Sequence, residues 1–335
     1  MDLSVVWAGI IAFAVALYVV MDGFDLGIGI LFPGFKVGAE RDAAMNAIAP
    51  VWDGNETWLV LGGGGLMAAF PLAYAIVLPA LYAPLIAMLL GLVFRGVAFE
   101  FRWRDPRHRG WWDAGFTLGS VLATLAQGIV LGALLQGIAV SGRRYAGGWF
   151  DWLTPFSLLC GVALVIAYAT LGGAWLIWKT QGQVRDDARR LLRWTVPAML
   201  LAIGAVSALT PFLEGQYYQR WFAWPGLLVT VPMPLAVGAV TLLLWRSLSG
   251  EKDHAPFLWT LALFALSMLG LAISIWPDVV PGRVSIWQAA APETSQVFML
   301  VGTAVLIPLI LAYTGWAYWV FRGKIADDGY HAHDH

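Results

Sequence analysis

Nine stretches, each mostly apolar for about 20 residues or more, follow one another at residues 5–32, 57–75, 76–99, 112–137, 155–178, 194–213, 225–245, 256–276 and 294–321. About 20 apolar residues are what an α-helix needs to cross the hydrocarbon of a bilayer. Only helices satisfy every backbone group over such lengths without water. The pattern therefore predicts an all-α, polytopic membrane helix bundle of about nine transmembrane helices. The composition agrees: 60% of the 335 residues are hydrophobic and only 12% are charged. Trp or Tyr stands at many span ends, where a ring with a polar edge anchors at the interface. Residues 1–322 read as a single transmembrane domain and 323–335 as a polar C-terminal tail. The second and third spans are joined without a charged loop and are interrupted by Pro71, Pro79 and Pro84.

Charge sets the expected orientation. With the N-terminus outside and the C-terminus inside, 15 Lys and Arg fall in inner segments, against Arg143, Arg144, Arg220 and Arg283 outside; Arg95 lies within a span. The positive-inside bias favours that arrangement and an odd number of spans. The chain begins Met-Asp without a basic leader, so the first span reads as retained rather than as a signal peptide. A formal net charge of -1 gives no reason to expect nucleic acid as a partner.

The few charges inside these spans are where function is to be sought, because ionisable groups in hydrocarbon are costly. Asp22 and Asp25 fall near the inner end of the first span, Asp53 and Glu56 at the inner start of the second, and Arg95 and Glu100 at the inner end of the third. Each carboxylate pair is spaced i, i+3 and so shares a helical face. Closely placed carboxylates can share a proton, as a proton relay requires. The alternative is structural: acids at a helix start satisfy free N–H groups and the helix dipole, and an arginine in the membrane needs a partner. Arg95 and Glu100 read as such a structural ion pair.

Other motifs carry less. All five histidines, His108, His254, His331, His333 and His335, lie outside the predicted spans. Membrane haems take axial His or Met ligands, so this chain is not expected to supply a His-ligated haem, and its methionines read as packing residues. No metal site is expected. Cys160 has no second thiol to pair with and reads as a small packing residue. Gly62 to Gly65 lack the Gly-Lys-Ser/Thr continuation of a phosphate loop and read as a close helix contact. The Trp-rich ends, such as Trp111-Trp112, read as interface anchors before quinone-stacking platforms.

Four separated motifs agree in order and spacing with a known family. They are Met21-Asp22-Gly23-Phe24-Asp25-Leu26-Gly27-Ile28-Gly29, Ala49-Pro50-Val51-Trp52-Asp53-Gly54-Asn55-Glu56-Thr57-Trp58, Phe94-Arg95-Gly96-Val97-Ala98-Phe99-Glu100-Phe101-Arg102, and Ile307-Pro308-Leu309-Ile310 with Tyr313-Thr314-Gly315-Trp316. The chain resembles, essentially end to end, subunit II of the cytochrome bd-type quinol oxidases. With Asp151-Trp152-Leu153-Thr154-Pro155-Phe156 it is closest to the cyanide-insensitive branch. The resemblance implies a respiratory oxidase of the bacterial inner membrane that oxidises quinol from the quinol pool and reduces dioxygen to water. It further implies a heterodimer in which haem-bearing subunit I holds haems b and d and the quinol site. This chain would complete the fold among membrane lipid and help conduct protons. Whether a small accessory subunit joins stays open.

Carried over by motif, Asp53 is the first candidate for proton uptake, supported by Asp22, Asp25 and Glu56. Trp58 either lies beside an apolar oxygen route or is an interfacial ring. Two other classes remain: a proton-coupled secondary transporter, whose acids should gather near mid-bilayer, and a scaffold with no residue in any pathway.

Overall fold

A computed structural model describes residues 2–325. The predicted tail falls mostly beyond them, at 326–335, together with His331, His333 and His335. The helices are α1 (Leu3–Leu31), α2 (Ala39–Asn46), α3 (Trp52–Ala69), α4 (Pro71–Ala80), α5 (Tyr82–Arg104), α6 (Arg109–Leu135), α7 (Pro155–Lys179), α8 (Gly182–Leu209), α9 (Gly215–Phe222), α10 (Leu227–Thr230), α11 (Pro232–Ser247), α12 (Ala255–Ile275), α13 (Ile286–Ala289) and α14 (Glu293–Val320). Two antiparallel hairpins decorate the loops: β1 (Val140–Ser141) pairs with β2 (Arg144–Tyr145), and β3 (Asp278–Val280) with β4 (Val284–Ser285).

Seven helices among the described residues, α1, α5, α6, α7, α8, α12 and α14, are long and apolar enough to cross a membrane. α3 and α4 together make an eighth if taken as one span, but they are bent by 120°. The break falls at Phe70, not at the predicted junction between residues 75 and 76. Phe70 leaves the helical region (φ -128°, ψ 61°) because Pro71 follows it, and Pro71 then opens α4 at its first position. The predicted segment 225–245 also differs: Pro232 separates a four-residue α10 from α11. The 16 residues of α11 extend about 24 Å, short of the hydrocarbon thickness. α8 begins at Gly182, twelve residues before the predicted span, through the charged run Arg185 to Arg193.

Helix starts follow the local sequence. Asp2 caps α1, its carboxylate accepting from the backbone N–H of Ser4 at 3.0 Å. Thr154 and Ser157 form a reciprocal capping box ahead of Pro155 at the start of α7. α1 is the central element and packs on α3, α6 and α7; α5 packs on α6, α6 on α7, and α7 on α8. Small residues set the spacing at the α1–α7 crossing. A Cβ on Gly27 would stand 1.9 Å from the Tyr168 carbonyl oxygen, and one on Gly172 would stand 2.5 Å from Gly27 backbone. The expected contact at the four-glycine run is half realised: Gly62 and Gly65 face Val15 and Ile11 of α1, whereas Gly63 and Gly64 face open space.

The end of α14 is clamped to the α7–α8 turn. Lys179 Nζ donates to the carbonyls of Phe321 (2.6 Å) and Gly323 (3.3 Å), and the Ile325 N–H donates to the Lys179 carbonyl at 2.9 Å. Lys324 donates to the Thr180 carbonyl and pairs with Asp253, which Arg189 also reaches at 2.7 Å. Elsewhere α14 is lightly held, with Gln296 its one buried residue.

Two outcomes are expected. Gly27→Ala should destabilise the protein by about 1–3 kcal/mol through overpacking, while Gly64→Ala stays within about 0.5 kcal/mol; thermal unfolding in detergent distinguishes them. Burial pushes the Asp253 carboxyl up, but the Lys324 hydrogen bond and the charges of Lys324, Arg185 and Arg189 outweigh it, leaving the group below its usual range. Its contribution is thus present above the unfolded value of about 3.9 and lost as pH falls through the lower folded value. Hydrogen-exchange protection of residues 321–325 should persist at about pH 5 and fall only in stronger acid, whereas Asp253→Asn should lower it already at about pH 7.

Candidate functional site

Nine consecutive residues of α1, Met21 to Gly29, are buried, although most of the helix before them is partly exposed. Glycines at 23, 27 and 29 let neighbouring helices close around this stretch, and it is here that Asp22 and Asp25 sit, both 0% exposed. They lie nine and six residues before Leu31, about 14 and 9 Å from the end of α1 along its axis.

Arg95 of α5 answers them. Its side chain is 2% exposed; Nη1 donates to Asp22 Oδ1 at 2.7 Å, and Nη2 pairs with Glu56 of α3. The guanidinium also lies 5.8 Å from the ring centroid of Trp52. Asp25 is reached from α3, where Asn55 Nδ2 donates to its Oδ2 at 2.8 Å and to the Met21 carbonyl at 3.3 Å. Tyr318 of α14 donates its hydroxyl to Asn55 Oδ1 at 2.9 Å. Asp22 Oδ2 and Asp25 Oδ1 are buried with no hydrogen-bond donor among the described residues. Two carboxylates thus share one guanidinium while a third, Asp25, lies close by on an amide donor, an arrangement able to take up and release a proton.

Four of the predicted residues come together and three do not join them. Asp22, Asp25 and Arg95, all buried, and the partly exposed Glu56 form one cluster. Asp53, in the first turn of α3, is exposed and makes no ion pair among the described residues. The cap of α3 is Val51, without a side-chain bond, so neither Asp53 nor Glu56 caps it; Asp53 gains only the helix dipole. The expected pair of Arg95 with Glu100 does not form. Five residues on, Glu100 is turned about 140° around α5 and is exposed, whereas the partners of Arg95 come from other helices. Trp58 is not an interfacial ring: it is fully buried on α3 against α1, edge-on to Phe13 at 6.0 Å, with no hydrogen-bond partner for its indole N–H among the described residues.

Two further groups were not singled out from the sequence. Gln127 of α6 joins Tyr18 and Tyr168: its Nε2 donates to the Tyr18 hydroxyl at 2.8 Å, and the Tyr168 hydroxyl donates to its Oε1 at 3.1 Å. Tyr18 lies one turn from Asp22 on the same face of α1, a spacing that could have flagged it. Arg102, also 0% exposed, bonds Asp113 at 2.5 Å and Asp42 at 2.7 Å, with Arg41 on Asp113 at 2.7 Å. It stands seven residues from Arg95, hence on the same face of α5, which again was a usable signal.

The two histidines among the described residues do not fit a haem-ligand role within the helices. His108 and His254 are exposed at helix ends, the former bound to Asp105. Among the described residues no group of three or more His, Cys, Asp or Glu could hold a metal ion.

Removing Arg95 should expose how much the cluster depends on it. Arg95→Gln leaves Asp22 and Glu56 without their cation and is expected to cost about 3–5 kcal/mol, read as a lower unfolding temperature and yield. Glu100→Gln should change neither by more than about 0.5 kcal/mol.

A family model described as cytochrome bd terminal oxidase subunit II matches residues 3–321. Subunit 2 of the cytochrome bd-I ubiquinol oxidase of Escherichia coli K12 is 30% identical, over 99% of this chain and 98% of its own length. Subunit 2 of the cytochrome bd ubiquinol oxidase of Bacillus subtilis 168 is 27% identical, over 96% of each. A solved structure of the bd oxidase from Geobacillus thermodenitrificans aligns with a TM-score of 0.77 at 16% identity, covering 96% of this chain and 99% of that one, and so shares its fold.

Proposed function

The chain belongs to the cytochrome bd terminal oxidase subunit II family, and within that membrane-bound, haem-containing oxidase we propose that it supplies a proton inlet. The complex oxidises quinol and reduces dioxygen to water in the bacterial inner membrane. Haems b and d and the quinol site belong to the partner, subunit I. That assignment is supported by the exposed positions of His108 and His254, which leave this chain's helices without a fitting His ligand.

The observation that carries the proposal is the gradient of exposure across four acids. Asp53 is exposed, the Glu56 side chain is 30% exposed, and Asp22 and Asp25 are fully buried behind Arg95. Protons cannot cross hydrocarbon without acids or ordered water. Asp53 collects a proton at the surface, Glu56 receives it at the mouth, and the Asp22–Arg95–Asp25 cluster holds it inside. Arg95 keeps the negative charge of the cluster tolerable between transfers. With the N-terminus outside and the C-terminus inside, this mouth opens to the cytoplasm. Protons consumed at the oxygen site then come from the inner side, and charge separates across the membrane without pumping.

Dioxygen dissolves in hydrocarbon and needs gaps rather than polar residues; Trp58, buried on α3 with its ring edge-on to the exposed Phe13 of α1, would border such a route. A proton-coupled transporter is not favoured, since the family matched over residues 3–321 is an oxidase subunit.

The test is Asp53→Asn in the whole oxidase reconstituted in liposomes. Quinol-driven oxygen consumption and inner-side proton uptake should fall together by about tenfold, less than the roughly 10²–10⁴ of a catalytic acid or base because water can partly bypass an exposed acid. Unchanged turnover with unchanged proton stoichiometry removes Asp53 from the path.

A further inference from the structure

Asp25 differs from Asp22 in what holds it. Asp22 has the Arg95 guanidinium within hydrogen-bond distance; Asp25 has a single side-chain donor among the described residues, Asn55 Nδ2, and its second oxygen has none. Asn55 is itself buried and held from both ends. Its amide offers an acceptor on one side and a donor on the other. The Tyr318 hydroxyl donates to Oδ1, so Nδ2 is the end turned to Asp25 Oδ2 and the Met21 carbonyl. Turned the other way, Oδ1 would face two acceptors, and only a protonated Asp25 could donate to it.

We infer that Tyr318 is a positioning residue for Asp25, acting through Asn55, so that the C-terminal helix sets the proton-holding geometry of the first. The inference rests on the reading of Asp25 as part of the proton inlet. The anchoring of Tyr318 supports it. α14 is barely packed along its length, yet Tyr318 is fixed two residues before the helix end, beside the Lys179 clamp on Phe321 and Gly323. A small cavity of about 20 Å³, room for about one water, lies between Tyr318, Lys179 and Asn46, and the buried Asn46 Oδ1 has no donor among the described residues. The titratable and charged groups facing Asp25 are Asp22 on its own helix, Glu56 from α3, Arg95 from α5 and Tyr318 from α14. Farther off, α7 brings Tyr168 beside Asp22 and Lys179 beside the cavity.

Tyr318→Phe keeps the ring and removes only the hydroxyl, leaving Asn55 Oδ1 buried without its donor and freeing the amide from Asp25. The readout is the carboxylic C=O band of Asp25 in infrared difference spectra of the whole oxidase, assigned by its loss in Asp25→Asn. In Tyr318→Phe the pH at which that band titrates should move upward by about one unit, the scale of a hydrogen bond to a charged group, and the pH profile of turnover should move with it. In an Asn55→Leu background the same change should produce no further shift. An unshifted band in Tyr318→Phe, or an equal shift in both backgrounds, overturns the inference. If Tyr318→Phe assembles poorly, Asn55→Ser, too short to bridge the two side chains, must reproduce the shift, and an unshifted band there overturns it equally. If Asp25→Asn leaves turnover intact, the inlet reading fails for Asp25, while the band shift still decides the role of Tyr318.

Discussion

One guanidinium holds the polar heart of this bundle together. Arg95 spans from Asp22 on α1 to Glu56 on α3, linking three helices where the surroundings are aromatic and aliphatic. Without a cation at that point, the buried end of α1 would carry carboxylates with nothing to balance them. The close backbone contact of Gly27 with Tyr168 and Gly172 would then press α1 into an unfavourable environment. The apolar packing and the charge cluster are therefore two aspects of one arrangement.

A buried ion pair is a poor way to gain stability, because desolvation consumes most of the attraction, and a hydrophobic replacement of similar volume often does as well. A cluster with three acids and one base is less favourable still. Its grading outward through Glu56 to Asp53 is what the proposed proton inlet requires. The neighbouring Arg102 group looks different: Asp113, Asp42 and Arg41 surround it, and the rings of Phe32 and Trp103 flank it at 5.5 and 5.1 Å. Arg109 also reaches Asp42 at 3.6 Å, so three arginines meet two aspartates and each carboxylate has two cations, as suits a structural tie between α2, α5 and α6.

The sequence made the helices and the gathering of acids legible, because hydropathy and i, i+3 spacing are local properties. It was blind to what lies across a helix interface. Glu100 was paired with Arg95 for proximity along the chain, whereas the real partners are 73 and 39 residues away and are delivered by helix packing. Between the two readings of Trp58, the sequence offers only that Trp is usual at a span end; its burial on α3, edge-on to Phe13 of α1, is a fact of packing. The break at Phe70 was within reach, since the Phe-Pro step marks it, but two prolines farther on offered competing positions. Tyr318 gave no signal at all: a tyrosine near a membrane boundary needs no explanation until Asn55 is seen beside it.

The order of these residues along the chain has a consequence for biogenesis. α1 leaves the ribosome carrying both aspartates, and its neutralising arginine follows only with α5, after α3 has brought Glu56. Until then the first helix, the most apolar of the spans, must bear its aspartates without their cation, at a cost that protonation lowers. Tyr318 arrives last of all, so the acid cluster is assembled in the first third of synthesis and receives its final hydrogen-bonded support only when the chain is nearly complete.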